Sequence, residues 1–307
     1  MICDLNVVYP QEDFKSPPSG KDLTKLKACL AVLEQLGYTH VALNFEPQWS
    51  TGSINKQIPT DIRLVNPINI ERDFKEFEGR LKLYTRITLK VDDPSQCQNI
   101  TRFQQVFDIV AVEPKTERAL QLAITNLEID IVTFDYQERL PCYLKHKTLC
   151  SAIDKGIHFE IKYSDILESN SHSRAQAISN IKQLIRASRS RGLVCSSGVS
   201  IPDIFRFRSS SDIANLLELI GLDHNRANQS FKDWSLQVLL SGRLRIKSYK
   251  QVVTVSEEGG LVDNKMENKD WNDTKNGSAV NIKMNVRSYL KVKKENAVDR
   301  VKRRRTE

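Results

Sequence analysis

Apolar residues recur along most of the chain with two different spacings. Seven short runs are apolar or alternate between apolar and polar residues, as in a buried or half-buried strand. These runs are residues 2–8, 39–45, 82–91, 108–112, 128–134, 157–163 and 193–197. Helical spacing between them predicts helices over residues 21–36, 116–125, 144–155, 173–190, 212–220 and 229–241. We expect glycines, Gly37 and Gly242, to end the first and last of these helices.

The order of these elements is typical of an α/β protein. Strands that alternate with helices form βαβ units, whose strands run parallel in one sheet. Seven such strands within residues 1–251 fit a (βα) barrel of the triosephosphate isomerase type, which usually has about 250 residues. A doubly wound open sheet is the alternative. The chain lacks the glycine-rich first turn of a dinucleotide-binding sheet, so we favour the barrel.

The composition changes beyond the predicted barrel. Residues 252–307 are rich in charged residues, Asn and Gly and poor in large apolar side chains, which predicts a disordered tail. Much of the net charge of +8 lies near its end, because residues 287–307 hold nine Lys or Arg and three Asp or Glu. Two basic blocks there are a candidate nuclear-import signal or a nonspecific RNA-binding arm. The blocks are Lys291, Lys293 and Lys294, then Lys302, Arg303, Arg304 and Arg305.

Several classes of protein are not indicated by the sequence. No run approaches the roughly 18 apolar residues of a membrane helix, and the N-terminus lacks a basic segment followed by an apolar one. We therefore expect an intracellular protein that does not act at a membrane. The six cysteines include no CxxC pair, and the five histidines form no HxH or HxxxH motif. With no GxSxG elbow either, we expect no catalytic residue, no metal and no cofactor.

Eight segments of the chain, in their order and spacing, resemble those of a known protein family. They are DLNVVYP, LGYTHVALNF, LVNPINI, LKLYTRITLKVDDPSQ, FDIVAVEP, LPCYLKHKTLCSAIDKGIHFEIKYS, IRASRSRGLVCSSG and LLSGRLRIKS. Together they resemble the barrel-shaped, roughly thirty-kilodalton protein subunit of eukaryotic ribonuclease P and ribonuclease MRP, most closely its fungal form. The resemblance runs from Met1 to about Lys250.

The resemblance implies a subunit of a nuclear and nucleolar ribonucleoprotein. Such a protein assembles with the catalytic RNA and with other protein subunits, including a small α/β subunit. The particles remove 5′ leaders from precursor tRNA and process precursor rRNA, and the RNA performs the phosphodiester chemistry. The expected function is therefore that of a noncatalytic RNA-binding scaffold, which meets precursor tRNA only indirectly.

The first strand bears on the alternative, a metal-dependent phosphoesterase with its active site in the barrel. The barrel of this family looks like that of the polymerase-and-histidinol-phosphatase hydrolases, whose first strand carries Asp-x-His-x-His. Here Asn6 and Val8 stand at the two histidine positions. An amide is a poor ligand for zinc or iron and valine is none, so the sequence favours the scaffold.

Polar residues on the predicted strands suggest a buried cluster instead of a metal site. Alternation along the third strand places Arg86 on the face opposite its apolar residues, which in a barrel is the interior. The same reasoning places Asp4, Asn6, Asn44 and Glu160 there. We expect Arg86 to neutralise inward carboxylates where a hydrolase keeps its metal. An ordinary solvated strand end is the alternative, because a shift of one residue exchanges the two faces.

Two basic clusters are candidate RNA contacts, because Lys and Arg bind RNA phosphates. The first consists of Lys182, Arg186, Arg189 and Arg191; the second, after Gly242, of Arg243, Arg245, Lys247 and Lys250. Each alone could be a solvated basic surface. Since both lie in segments that carry the resemblance, we favour RNA binding. Lys145, His146 and Lys147, at a predicted helix start, form a weaker third candidate.

Overall fold

The structure, a computed structural model, describes most of the region predicted to fold. The described residues are 1–11, 13–14, 16–48, 59, 65–92, 100–199 and 204–247, without the side chain of Lys247. One compact unit spans Met1–Ile246. The predicted tail at residues 252–307 and its boundary at residue 251 lie outside the described residues.

Seven parallel strands form a sheet whose order follows the chain. They are β1 (Cys3–Val8), β2 (His40–Phe45), β3 (Lys82–Val91), β4 (Ile109–Pro114), β5 (Ile131–Val132), β6 (His158–Lys162) and β7 (Leu193–Ser196). A parallel bridge between Val7 and Val199 and a 3.0 Å hydrogen bond from the Gly198 amide to the Asn6 carbonyl join the last strand to the first. The sheet is therefore a nearly closed barrel, and the predicted strands and fold class are confirmed.

Helices follow most of the strands. They are α1 (Gly20–Gln35), α2 (Ile70–Asp73), α3 (Ile100–Gln104), α4 (Glu117–Thr125), α5 (His146–Asp154), α6 (Ser171–Ser188), α7 (Ser210–Ile220), α8 (His224–Phe231) and α9 (Asp233–Lys247). The first five predicted helices are confirmed as α1, α4, α5, α6 and α7, with ends shifted by a few residues. In the part of the chain that the structure describes, no helix is long and apolar enough to span a membrane.

The sixth predicted helix, residues 229–241, is wrong in both limits. Two helices occupy this region, separated at Lys232, and α9 continues through Gly242 to Lys247. Gly242 packs against the backbone of Asp108, and a Cβ at this position would overlap the Asp108 carbonyl oxygen. Glycine is needed here for close approach of two backbones, so it does not end the helix.

Two apolar layers hold the barrel together. The larger lies between the outside of the strands and the helices, where residues such as Leu43 and Val110 are fully buried. The smaller fills the N-terminal half of the barrel interior, where Val238 and Leu239 of α9 pack against strand residues. The strand residues of this layer are Cys3, Leu5, Ala42, Tyr84, Ile109, Ala111, Ile131 and Val194. Helix α9 thus closes the N-terminal end of the barrel, which leaves the C-terminal half for polar side chains.

Candidate nucleic-acid interface and barrel interior

An arginine and a glutamate pair at the centre of the barrel. Arg86 points inward from β3, and its side chain and that of Glu160 on β6 are 0% exposed. Nη1 of Arg86 donates to Oε1 of Glu160 at 2.5 Å, and Nη2 donates to Oε2 at 2.6 Å. Nη1 also donates to the Leu5 carbonyl at 2.8 Å. The two charges form a bidentate pair that is neutral as a whole.

Hydrogen bonds extend this pair across the barrel. Nε of Arg86 donates to Oγ1 of Thr88 at 3.2 Å, and that hydroxyl donates to Oδ1 of Asn44 at 2.8 Å. Nδ2 of Asn44 donates to Oδ1 of Asn6 at 2.7 Å. On the other side, the Ser196 hydroxyl donates to Oε1 of Glu160 at 2.6 Å. The structure therefore brings together Asn6, Asn44, Arg86 and Glu160, four of the five residues in the predicted cluster.

Asp4, the fifth, lies outside this network. Its Oδ1 accepts hydrogen bonds from the backbone amides of Asn6 at 3.2 Å and Ser197 at 3.0 Å. The register between β1 and β2 shifts between Asp4 and Val7, the mark of a β-bulge. Simple alternation would put Asp4 and Asn6 on one face, but Leu5 on the intervening position packs inside the barrel. The expectation that Asp4 would face Arg86 thus missed the bulge.

The ionisation of Glu160 favours this pairing. Burial raises the pKa of Glu160, but the charge of Arg86 and the hydrogen bonds from Arg86 and Ser196 lower it by more in sum. The pKa consequently lies below the ordinary value for a glutamate. Glu160 stays ionised at neutral pH, and the buried guanidinium keeps its counter-charge.

The barrel interior does not fit a divalent metal ion. The Asn6 carboxamide oxygen already accepts a hydrogen bond from Asn44, and the guanidinium of Arg86 places positive charge where a cation would have to sit. Within the described ranges, no group of three or more His, Cys, Asp or Glu side chains could hold a metal. The side chains present are those of a polar core held by hydrogen bonds.

Charged side chains at the C-terminal mouth of the barrel also form pairs. Nζ of Lys115 lies 2.8 Å from Oε1 of Glu113, and Nζ of Lys162 lies 3.7 Å from Oδ2 of Asp165. Burial lowers the pKa of Lys162, but nearby carboxylates, Asp165 first, raise it above its ordinary value. The mouth thus offers few cations for an anionic ligand.

The predicted basic helix, α6, has a different environment. The Asn170 side chain caps its start by accepting from the His172 amide at 3.0 Å, and Ile181 and Leu184 bury one face. Lys182 and Arg186 are exposed. Among the described residues, neither side chain has a carboxylate oxygen within 4.0 Å. This pair is available to a ligand.

A groove of about 600 Å³ runs beside these two cations. It lies between α6 and the segment that leads into α5, and Tyr143, His146, Lys182 and Arg186 are among its lining residues. Nδ1 of His146 lies 2.8 Å from the Ala187 carbonyl, which fixes the imidazole against α6. Tyr143 is 76% exposed. The groove therefore combines two cations, an imidazole and an accessible aromatic ring.

The other two members of the first basic cluster follow α6. Arg189 caps the helix in the left-handed conformation, with φ of 53°, and it is exposed. Arg191 is also exposed, and its Nη2 lies 3.4 Å from Sγ of Cys150. Of the third candidate, Lys145 pairs with Glu117 at 3.6 Å. None of these three side chains is among the residues that line the groove.

Two arginines of the second basic cluster contact other parts of the barrel. Nη1 of Arg245 on α9 contacts both carboxylate oxygens of Asp130, at 2.7 and 2.9 Å. The guanidinium of Arg243 lies over the ring of Tyr84, 5.5 Å from its centroid. The side chain of Lys247 and the whole of Lys250 lie outside the described residues. Arg243 and Arg245 thus help to seat α9 in the barrel, and their contact with RNA stays a prediction.

Three residues of the network and the groove were not predicted as site residues from the sequence. Thr88 and Ser196 complete the buried network, but hydroxyls are too common on strands to stand out. Tyr143 lies in a segment without helix or strand, where no apolar period indicates which side chains are exposed. These positions are set by contacts between distant elements.

Comparisons with known proteins agree with this architecture. The family model described as RNase P subunit p30 matches residues 1–247. Ribonuclease P/MRP protein subunit RPP1 of Saccharomyces cerevisiae is 41% identical over 265 residues, which cover 86% of this chain and 88% of the relative. Probable ribonuclease P protein subunit 3 of Schizosaccharomyces pombe is 33% identical over 255 residues, 82% of this chain and 98% of the relative.

A solved structure matches as well. One chain in the cryo-EM structure of archaeal ribonuclease P with mature tRNA superposes with a TM-score of 0.58 at 13% identity. The match covers 87% of this chain and all of that one, and it supports the fold. With the family model and both yeast relatives in agreement over most of its length, this chain belongs to the RNase P subunit p30 family.

Proposed function

We propose that this chain is a noncatalytic, RNA-binding subunit of ribonuclease P and ribonuclease MRP. In that role it supports removal of 5′ leaders from precursor tRNA and processing of precursor rRNA. Membership of the p30 family and the similarity to the two yeast subunits support the assignment. The observation that carries it is the contrast between Arg86, paired with Glu160 inside the barrel, and the exposed cations of α6, which have no carboxylate partner among the described residues.

The exposed pair on α6 suits an RNA backbone. Lys182 and Arg186 are four residues apart and therefore lie side by side on the helix surface. Much of the affinity for nucleic acid comes from such cations, which release counter-ions from the phosphates that they contact. Because neither cation is paired with a described carboxylate, RNA would not have to displace an internal ion pair before it bound.

The barrel interior supports a noncatalytic role. The two opposite charges at the centre of the barrel, those of Arg86 and Glu160, are already paired with each other. Under this proposal the RNA of the particle carries out phosphodiester cleavage. Purified protein given manganese, zinc or magnesium should then be inert on phosphoesters. Turnover that disappears in Glu160→Gln would favour a phosphoesterase instead.

The proposal extends to partners and location. We infer that the chain contacts the catalytic RNA and other protein subunits, including a small α/β subunit, in the nucleus and nucleolus. The candidate import signal lies outside the described residues. Deleting residues 301–307 from a fluorescent fusion should reduce the nuclear signal. An unchanged signal would show that this block is not needed for import.

Complementation in cells tests the function. Depletion of the chain should cause precursor tRNA with unremoved leaders to accumulate, measured by hybridisation to leader sequences. Wild-type protein should reverse the accumulation, and the double variant Lys182→Gln with Arg186→Gln should reverse it less well. The matched control is Lys21→Gln with Lys75→Gln, which removes two exposed charges elsewhere and should act as wild type. Normal tRNA maturation after depletion would contradict the proposal.

A further inference from the structure

Tyr143 is unusual among the aromatic residues of the described chain. Its side chain is 76% exposed, whereas most of the large aromatic side chains in this barrel are buried. Among the described residues it has no hydrogen-bond partner. An aromatic ring held in water next to cations gains free energy when another flat surface covers it. Tyr143 therefore has the properties of a stacking platform.

The groove beside Tyr143 has the size of a small-ligand site. Its volume of about 600 Å³ falls within the range of roughly 300 to 1,000 Å³ typical of such sites. Lys182 and Arg186 supply positive charge, and Ser179 and Gln183 supply neutral hydrogen-bonding groups on the same wall. The groove therefore offers cations to a phosphate, neutral polar groups to the edge of a base and an aromatic ring to its face.

The chemistry of the groove favours an unpaired nucleotide over duplex RNA. Bases inside a duplex already stack on their neighbours, so only an unstacked base presents a face to an aromatic side chain. Proteins that bind single-stranded nucleic acid commonly combine a positively charged groove with aromatic side chains on which the bases stack. A duplex would use Lys182 and Arg186 and leave Tyr143 in water.

We propose that this groove holds one unpaired nucleotide of an RNA strand, with its base stacked on Tyr143 and a phosphate between Lys182 and Arg186. The inference rests on the proposed function, because it specifies the kind of RNA that the same surface binds. His146, held by the Ala187 carbonyl at 2.8 Å, forms a fixed part of the wall beside the nucleotide.

Fluorescence anisotropy with the full-length protein tests this inference. The probes are a short labelled single-stranded RNA and a duplex of the same sequence. Tyr143→Ala should weaken single-strand binding about ten-fold, within the range expected for loss of one stacked base, and should leave duplex binding unchanged. Tyr143→Phe keeps the ring and should bind as wild type. Ultraviolet crosslinking followed by mass spectrometry should find a nucleotide attached at or beside Tyr143.

The outcomes separate this inference from the function on which it rests. If Lys182→Gln with Arg186→Gln weakens binding of both probes while Tyr143→Ala weakens neither, the stacking inference is overturned and the RNA-binding function stands. If no variant affects either probe, both are overturned. If Tyr143→Ala leaves RNA binding intact but releases a subunit from the assembled particle, the groove holds a protein segment, which also overturns the inference.

Discussion

Arg86 in the barrel and Arg186 on α6 carry the same charged group in opposite environments. Arg86 is 0% exposed, and both terminal nitrogens of its guanidinium donate to the Glu160 carboxylate. Arg186 is exposed and has no carboxylate oxygen within 4.0 Å among the described residues. Burial makes removal of a counter-charge costly, whereas exposure leaves a cation free to bind an anion. The surroundings of an arginine therefore decide whether it stabilises the fold or binds a ligand.

The largest effect should come from breaking the buried pair. Arg86→Leu leaves Glu160 as an uncompensated buried charge, which should lower the free energy of unfolding by about 3 to 5 kcal/mol. Thermal denaturation measures the loss. The double variant Arg86→Leu with Glu160→Leu removes both charges and should be more stable than the single variant. An unchanged melting temperature for Arg86→Leu would show that the pair does not stabilise the barrel.

A second effect concerns pH, because two buried histidines should respond to acid before the buried pair of Arg86 and Glu160 does. Burial lowers the pKa of His158 to about 4 and that of His40 to about 4. Both histidines bind protons more readily in the unfolded chain, so their contribution is complete above about pH 6.5 and is lost as the pH falls. The pairing with Arg86 holds the pKa of Glu160 below its ordinary value, so its contribution is lost only at lower pH.

The measurement compares the free energy of unfolding at pH 7.5 and pH 5.0. Each histidine should account for a loss of about 2 kcal/mol between these values. His158→Gln should remove about half of the combined loss, whatever its effect at pH 7.5. If His158→Gln lost as much stability as wild type between the two pH values, His158 would not be buried and neutral.

A somewhat smaller effect tests whether Arg245, like Arg86, stabilises the fold through the contacts that it makes. Its contacts require α9 to lie close to the backbone of Asp108, where Gly242 leaves no room for a Cβ. Gly242→Ala should therefore lower stability by about 1 to 2 kcal/mol, although alanine favours a helix interior by about 1 kcal/mol. Ser241→Ala, at the exposed neighbouring position, is the control. Stabilisation by Gly242→Ala would mean that α9 is not seated as described.

The smallest effect on stability should come from the exposed cations. Lys182→Gln with Arg186→Gln removes no ion pair with a described residue and should change the free energy of unfolding by less than about 0.5 kcal/mol. Chemical denaturation measures this, with Lys21→Gln and Lys75→Gln as the matched control. A loss as large as that expected for Arg86→Leu would erase the distinction between the two regions.

The sequence predicted what depends on local pattern. Strands such as β3 and helices such as α1 have strong periodicity, and both form where the pattern places them. The inward position of Arg86 followed from the same alternation. The bulge that turns Asp4 away and the close packing of Gly242 depend on partner segments far along the chain, and local pattern contains no information about them. Whether a cation such as Arg245 is exposed or paired is likewise decided by a distant residue, Asp130.

The salt dependence of RNA affinity shows whether Lys182 and Arg186 contact RNA phosphates. The purified full-length chain is titrated with the RNA of the particle at several salt concentrations, for wild type, Lys182→Gln with Arg186→Gln, and the control Lys21→Gln with Lys75→Gln. Each lost phosphate contact reduces the slope of log affinity against log salt by about 0.7 to 0.9. The slope should be shallower by about 1 to 2 for the α6 variant alone. Equal slopes for the α6 variant and wild type would contradict RNA binding by Lys182 and Arg186.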